Sequence, residues 1–149
     1  MKKTHVVIHH SATKDTDSMS WGAIRKWHII ENGFFDIGYH LGIEEIGKHF
    51  EVMLGRPFDA DGAHAREQNM NRIGLGVMFC GNFNKTTPSL EMLQYAAARL
   101  RPIMQSLGIP ADREHVLAHG DVAPHKGLGS EFPCPGRNFN MTEFVALLR

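Results

Sequence analysis

The stretch Ile73-Gly74-Leu75-Gly76-Val77-Met78-Phe79-Cys80 is an apolar run interrupted only by two glycines. An apolar run of this length, without polar alternation, is typical of a strand that is buried on both faces, as the central strands of parallel sheets are. We therefore predict that residues 73–80 form a central strand, and the rest of the fold is built outward from it.

Strand and helix patterns alternate on both sides of this run. Apolar runs predict further strands at Thr4–Ile8, Tyr39–Ile46, His49–Leu54 and Val116–Ala118, with a hairpin turn at Gly47-Lys48. Periodicity and capping signals predict helices at Ser20–Glu31, Thr87–Gly108 and Met141–Leu148. This alternation is typical of α/β layer folds. We expect one domain over residues 1–149, of α/β class, with a mixed central β-sheet flanked by α-helices.

The helices carry more specific expectations. In the first helix Trp21, Ile24, Trp27 and Ile30 recur at three-residue steps, which predicts an amphipathic helix with Trp27 in the core. The last helix has a start that resembles a capping box, Asn140 followed three residues later by Glu143.

The sequence also gives specific expectations for the longest predicted helix and the longest predicted loop. Thr87 is the expected N-cap of the helix, with Pro88 in its first turn, and Gly108 is the expected end. The expected buried stripe is Leu90, Leu93, Ala97, Leu100 and Met104. Pro102 should kink the helix or end it early. Arg56–Arg72 is polar and predicts a long irregular loop, which in a compact domain is usually functional or mobile.

Composition excludes several classes of function. The 149 residues include 16 basic and 16 acidic side chains, so the net charge of zero argues against a nucleic-acid-binding or polybasic membrane-surface protein. No apolar run is long enough for a membrane span or a secretory signal, so we expect cytoplasmic synthesis without a signal peptide. Nothing demands more than a monomer. The unusual count is ten histidines, which directs attention to a metal site.

Three potential metal ligands lie at the ends of predicted strands or on the loop after one. His9 follows Val6-Val7-Ile8, His119 follows Val116-Leu117-Ala118, and Cys134 lies on the loop after His119. Binding sites of α/β sheets lie beyond strand ends, and two imidazoles with one thiolate leave a fourth zinc position for water. Spacing alone is a weak signal, because a single residue of this kind is more often a structural histidine or a buried cysteine than a metal ligand.

Other chemistries find less support. No second cysteine follows Pro133-Cys134 at the spacing of a zinc deaminase, and neither a nucleophile elbow nor a phosphate loop is present. A cysteine hydrolase with Cys134 or Cys80 as nucleophile stays open. We expect a thiol, and not a disulfide, at Cys80.

Four segments in order resemble one known family. They are Val7-Ile8-His9-His10-Ser11-Ala12-Thr13, residues 24–28 with 35–40, Gly62-Ala63-His64-Ala65 with residues 71–77, and Ala118–Pro124 with Cys134-Pro135-Gly136. Together they cover nearly the whole chain. The chain thus resembles the zinc-dependent N-acetylmuramoyl-L-alanine amidases, which include phage lysozyme-type amidases and the peptidoglycan recognition proteins.

The resemblance implies a role for each site residue. It implies one zinc ion held by His9, His119 and Cys134, a catalytic hydrogen-bond donor at Tyr39, and a place for His64 on the substrate groove. Close phage relatives have a lysine two positions before the last ligand, whereas this chain has Phe132 there. The nearest lysine is Lys126, which we assign as the candidate oxyanion donor. His125 is a second candidate, and Lys126 could instead be a solvated loop charge.

The implied function is hydrolysis of the amide bond between N-acetylmuramic acid and L-alanine in peptidoglycan, by an endolysin-like enzyme acting on the cell wall. A peptidoglycan-binding module without activity and a cytoplasmic muropeptide-recycling amidase are the alternatives. Cys134 favours the enzyme, because the binding members of the family typically lack the cysteine ligand.

The other histidines have no expected functional role. His10 should point to the opposite face of its strand from His9, and His115 should lie on the surface. His5, His40 and His49 are expected to be ordinary strand residues, and His28 is left undecided.

Overall fold

A computed structural model describes residues 2–13, 20–123 and 133–149. Within these ranges the strands are β1 (His5–His10), β2 (Leu41–Ile46), β3 (His49–Leu54), β4 (Gly74–Phe79) and β5 (Val116–Ala118). The helices are α1 (Trp21–Ile30), α2 (Met70–Ile73), α3 (Leu90–Leu107), α4 (His119–Val122) and α5 (Met141–Leu147), with a 3-10 turn at Glu67–Asn69.

The five strands form one mixed sheet in the order β3-β2-β4-β1-β5. Strand β4 lies between β1 and β2 and is parallel to both, β5 is parallel to β1, and β2 and β3 form an antiparallel hairpin across Gly47-Lys48. Every residue of β4 is buried. The predicted mixed α/β sheet and its central strand are therefore confirmed.

The two faces of the sheet pack into different hydrophobic clusters. Leu75, Val77 and Phe79 of β4 enter the main hydrophobic core, which is completed by α3 and α5. Met78, by contrast, packs in a separate cluster with Trp21 on the other face, as strand alternation requires. Val7 likewise belongs to a cluster apart from the main core. The face opposite α3 is the one that carries His9.

Helix α1 buries a different face from the predicted one. Trp21 and His28 are buried, whereas Trp27 is 50% exposed and Ile30 is 61% exposed. Three residues rotate about 300° around an α-helix, which is less than a full turn. Residues at three-residue steps therefore do not stay on one face, and Trp21 and Ile30 lie about 180° apart around the helix axis. Residues seven apart return to within about 20° of one another, which explains why Trp21 and His28 share the buried face.

Helix α3 begins later than predicted and continues past its proline. Ser89 is the N-cap, and its hydroxyl accepts a hydrogen bond from the Met92 N–H at 3.1 Å. The predicted cap at Thr87 is therefore wrong by two residues, and Leu90 is exposed. Pro102 is also exposed, and the helix runs on to Leu107 because residues on both sides of the proline pack into the core. Gly108 closes it at a φ of 69°, as predicted.

The remaining expectations are mostly confirmed. Asn140 caps α5 by accepting a hydrogen bond from the Glu143 N–H. Cys80 is buried, and no disulfide joins it to Cys134. The segment Arg56–Arg72 is less irregular than predicted, because the 3-10 turn and α2 form in its last third. In the described part of the chain, none of the helices has the length and apolar character needed to span a bilayer.

Candidate active site

Strand register brings two of the predicted ligands together. Strands β1 and β5 are parallel neighbours, with Ile8 opposite Ala118. The residue after each of these is a histidine, His9 still within β1 and His119 at the start of α4, so the two side chains lie next to each other at the same end of the sheet. Their ring centroids lie 4.5 Å apart. A separation of 110 residues in sequence is thus closed by one pair of parallel strands.

Cys134 reaches the same place from the C-terminal segment. Its Sγ accepts a hydrogen bond from the His10 backbone N–H at 3.4 Å and lies 3.9 Å from His9 Nδ1. The Cys134 carbonyl accepts a bond from the Gly120 N–H at 2.7 Å, which ties this segment to α4. A Cβ on Gly120 would lie 2.4 Å from Pro133, so this approach requires glycine.

The three side chains fit a zinc ion. One ligand atom from each of His9, His119 and Cys134 lies within 4.8 Å of the other two. Donors around a tetrahedral zinc, with Zn–N of about 2.0–2.1 Å and Zn–S of about 2.3 Å, stand roughly 3.3–3.6 Å apart. The 3.9 Å between Cys134 Sγ and His9 Nδ1 is close to that value. Two imidazoles and a thiolate are also ligands that zinc prefers, so the group can hold one ion.

Burial keeps the two histidines neutral and keeps the proton on the cysteine. It lowers the pKa of His9 well below its usual value, with a further contribution from His64, and it lowers the pKa of His119. Both rings are therefore neutral and keep a lone pair for a metal. Burial raises the pKa of the Cys134 thiol to about 12. A metal bound at Cys134 would therefore have to displace the thiol proton. Without a metal, a thiol that keeps its proton at neutral pH is a poor nucleophile, which counts against the cysteine-hydrolase alternative at Cys134.

Tyr39 lies beside the metal-ligand group, directly before His40 and β2. Its ring centroid is 5.0 Å from that of His9. The backbone of this segment is fixed from both sides, since the Gly38 N–H donates to His28 Nδ1 at 2.9 Å and the Arg56 N–H donates to the Tyr39 carbonyl at 3.0 Å. Burial, with a smaller effect of Cys134, raises the pKa of Tyr39, so its phenol stays protonated and can donate a hydrogen bond.

His64 also lies against His9. Its Nδ1 is 3.1 Å from His9 Nε2, and its Nε2 is 3.4 Å from the Gly74 carbonyl oxygen. Burial lowers the pKa of His64 to about 3, so its ring is neutral. The role in substrate binding that the sequence implied for His64 stays a prediction.

Comparison with known proteins decides the family. Residues 1–137 match the family model described as N-acetylmuramoyl-L-alanine amidase. The chain belongs to the N-acetylmuramoyl-L-alanine amidase family. The endolysin of Klebsiella phage KP32 is 33% identical over 122 residues, which cover 81% of this chain and 77% of the phage protein.

Other relatives of this amidase extend the comparison. Peptidoglycan-recognition protein SC2 of Drosophila melanogaster is 31% identical over 140 residues, covering 91% of this chain and 69% of that protein. Among solved structures, the N-acetylmuramoyl-L-alanine amidase LysC from Clostridium intestinale URNW superposes with a TM-score of 0.77 at 28% identity, covering 99% of this chain and 86% of LysC. The resemblance seen in the sequence is confirmed, and the amidase acts on peptidoglycan.

Two further buried histidines of the amidase hydrogen-bond to backbone groups near the site, which the sequence did not predict. His28 lies on the buried face of α1 and holds the Gly38 N–H next to Tyr39. His40 is fully buried, accepts a hydrogen bond from the Gly76 N–H at 3.0 Å and donates to the Ala60 carbonyl at 3.0 Å. His40 directly precedes β2, which begins at Leu41, and these bonds give it a structural role.

Further residues with a sequence-based expectation are His10, His115, Lys126 and His125. The His10 ring accepts a hydrogen bond from the Phe83 N–H on the core side of β1, away from the metal-ligand group, as predicted. His115 pairs with Asp112 at 2.7 Å and is partly exposed. Lys126 and its alternative His125 lie outside the described residues.

Proposed function

We propose that this amidase is a zinc enzyme, in which His9, His119 and Cys134 hold one Zn²⁺ while the amide bond between N-acetylmuramic acid and L-alanine is hydrolysed. The observation that supports the proposal is the convergence of three ligand atoms within 4.8 Å of one another. When bound, zinc supplies a Lewis acid for the scissile carbonyl and lowers the pKa of water to about 7.

The chain's own groups contribute hydrogen bonds and shape. Tyr39 keeps its proton next to His9, so its O–H can donate to the attacking water or to the carbonyl oxygen. Lys126, or His125 in its place, is proposed as a second donor to the oxyanion. His64 is proposed to contact the substrate at the groove on the basis of the family resemblance.

The relatives support a proposal for the cellular role. The endolysin relative and the peptidoglycan-recognition protein relative both support peptidoglycan as the partner. We propose that the enzyme is a lysin that acts as a monomer on the cell wall. A muropeptide-recycling amidase would share the same chemistry and differ in substrate size.

The test compares variants of the two cysteines on purified cell wall. We expect Cys134→Ser to lose bound zinc and nearly all release of peptides that begin with L-alanine, because a hydroxyl is a poor zinc ligand. Cys80→Ala is the matched control and should keep both zinc and activity, because Cys80 packs in an apolar cluster. Undiminished release by Cys134→Ser would contradict the zinc mechanism. Zinc binding without release on any wall preparation would favour a binding module.

A further inference from the structure

The contacts of His64 point to a role that goes beyond contact with substrate. We infer that His64 is a positioning residue that holds His9 in the tautomer protonated at Nε2, so that His9 Nδ1 is the nitrogen offered to the metal. This inference rests on the zinc site of the proposed function, but it concerns the histidine pair and can be tested without turnover.

The hydrogen-bond chain runs in one direction only. The Gly74 carbonyl can only accept, so His64 Nε2, at 3.4 Å from it, must carry the proton of the neutral ring. His64 Nδ1 is then a bare acceptor. His9 Nε2, at 3.1 Å from that atom, must donate, because two bare nitrogens at this distance repel. A neutral His9 that is protonated at Nε2 has its lone pair at Nδ1.

The lone pair at His9 Nδ1 is on the side of the ring that faces Cys134. Nδ1 is the nitrogen of His9 that lies 3.9 Å from Cys134 Sγ. The opposite tautomer would put a proton between His9 and Cys134 and would leave His9 unable to ligate there. The proton position at His64 is therefore transmitted through one ring to the metal-ligand group, in the way that metal-binding histidines are generally oriented by a partner on their other nitrogen.

The His64 ring sits in a cradle that holds this arrangement. A Cβ on Gly76 would lie 2.4 Å from His64 Cδ2, and a Cβ on Gly62 would lie 2.4 Å from the same atom. Both glycines therefore leave space that the ring fills. Its backbone is fixed as well, since Asn71 Oδ1 accepts hydrogen bonds from the N–H groups of His64 at 2.7 Å and Ala65 at 2.8 Å.

The direct test determines the tautomer of His9 in the zinc-loaded protein by long-range ¹H–¹⁵N NMR of uniformly ¹⁵N-labelled histidines. We expect a protonated Nε2 and a metal-bound Nδ1 at His9, and a protonated Nε2 at His64. A proton on His9 Nδ1, or zinc on His9 Nε2, would overturn the inference. If the protein binds no zinc, the proposed function fails, and the same spectrum of the metal-free protein still reports the tautomer.

Two variants test the positioning role by rescue. His64→Ala removes the acceptor, and we expect zinc affinity in chelator competition to fall about 10–100-fold. His64→Asn places Oδ1 where Nδ1 was and should restore most of that affinity. His49→Asn, in the exposed hairpin, is the control for loss of a histidine and should bind zinc like the wild type. Equal affinities in wild type and His64→Ala, or a folded His64→Asn no better than His64→Ala, would overturn the role.

Discussion

Replacing Gly76 by alanine tests the packing beneath the metal-ligand group. The new Cβ would lie 2.4 Å from His64 Cδ2, 2.6 Å from Cγ and 2.8 Å from Nε2, whereas ordinary contacts begin at 3.4 Å. The rigid ring would have to move by about 1 Å, and Gly62, which also packs closely against Cδ2, limits the room for that movement. Such a movement is enough to break the 3.1 Å contact between His64 and His9.

We expect two measurable effects of Gly76→Ala. Overpacking of this kind costs about 1–3 kcal/mol of unfolding free energy, which corresponds to roughly 2–4 °C in Tm for each kcal/mol at this chain length. Zinc affinity should fall about tenfold or more, because His9 loses its orienting partner. Urea unfolding of the metal-free protein and chelator competition measure the two effects separately.

Gly22→Ala is the matched control. Gly22 lies in α1, where the nearest atom to an added Cβ is Ser20 Oγ at 3.7 Å. Alanine should stabilise the helix there by up to about 1 kcal/mol and leave zinc affinity unchanged. A Gly76→Ala variant with wild-type stability and wild-type zinc affinity would refute the packing argument.

Two further predictions concern catalysis and pH. Tyr39→Phe keeps the ring beside His9 but removes the donor, so kcat on muropeptides should fall about 10²–10³-fold while zinc content stays at the wild-type level; an unchanged kcat would exclude Tyr39 as a donor. Burial lowers the pKa of His40 to about 4, so between pH 6.5 and 4 this imidazole is protonated in the unfolded chain but stays neutral in the folded chain. As the pH falls from 6.5 to 4, the free energy of unfolding should therefore decrease by about 1 kcal/mol per pH unit because of this residue. Urea titrations at several pH values measure this slope. If the slope were the same in His40→Asn as in the wild type, the assignment to His40 would be contradicted.

The parts of the structure that sequence predicted well are those that depend on local pattern. The apolar run at residues 73–80 became the central strand because burial on both faces leaves a direct trace in composition. The candidate metal ligands His9 and His119 can be predicted because each follows a recognisable apolar run, and the parallel pairing of β1 with β5 brings them together.

The parts that were missed depend on contacts between distant segments. Trp27 was assigned to the core because a three-residue repeat was read as a straight stripe, although it drifts around the helix. His64 lies in a segment with no periodic signal, and its contact with His9 depends on glycines in other segments, Gly76 among them, that leave room for its ring. No single stretch of sequence contains that information. His40 was missed for the same reason, since its partners Ala60 and Gly76 lie on different elements.

The most direct test of the zinc mechanism measures metal content and product on the same sample. The amidase is stripped with a chelator, reloaded with increasing zinc, and assayed at each step for released peptides that have an N-terminal L-alanine. We predict that activity rises in proportion to zinc and reaches its maximum at one ion per chain, the capacity of the group formed by His9, His119 and Cys134. Full activity in the stripped protein, or no activity at one zinc per chain, would contradict the mechanism.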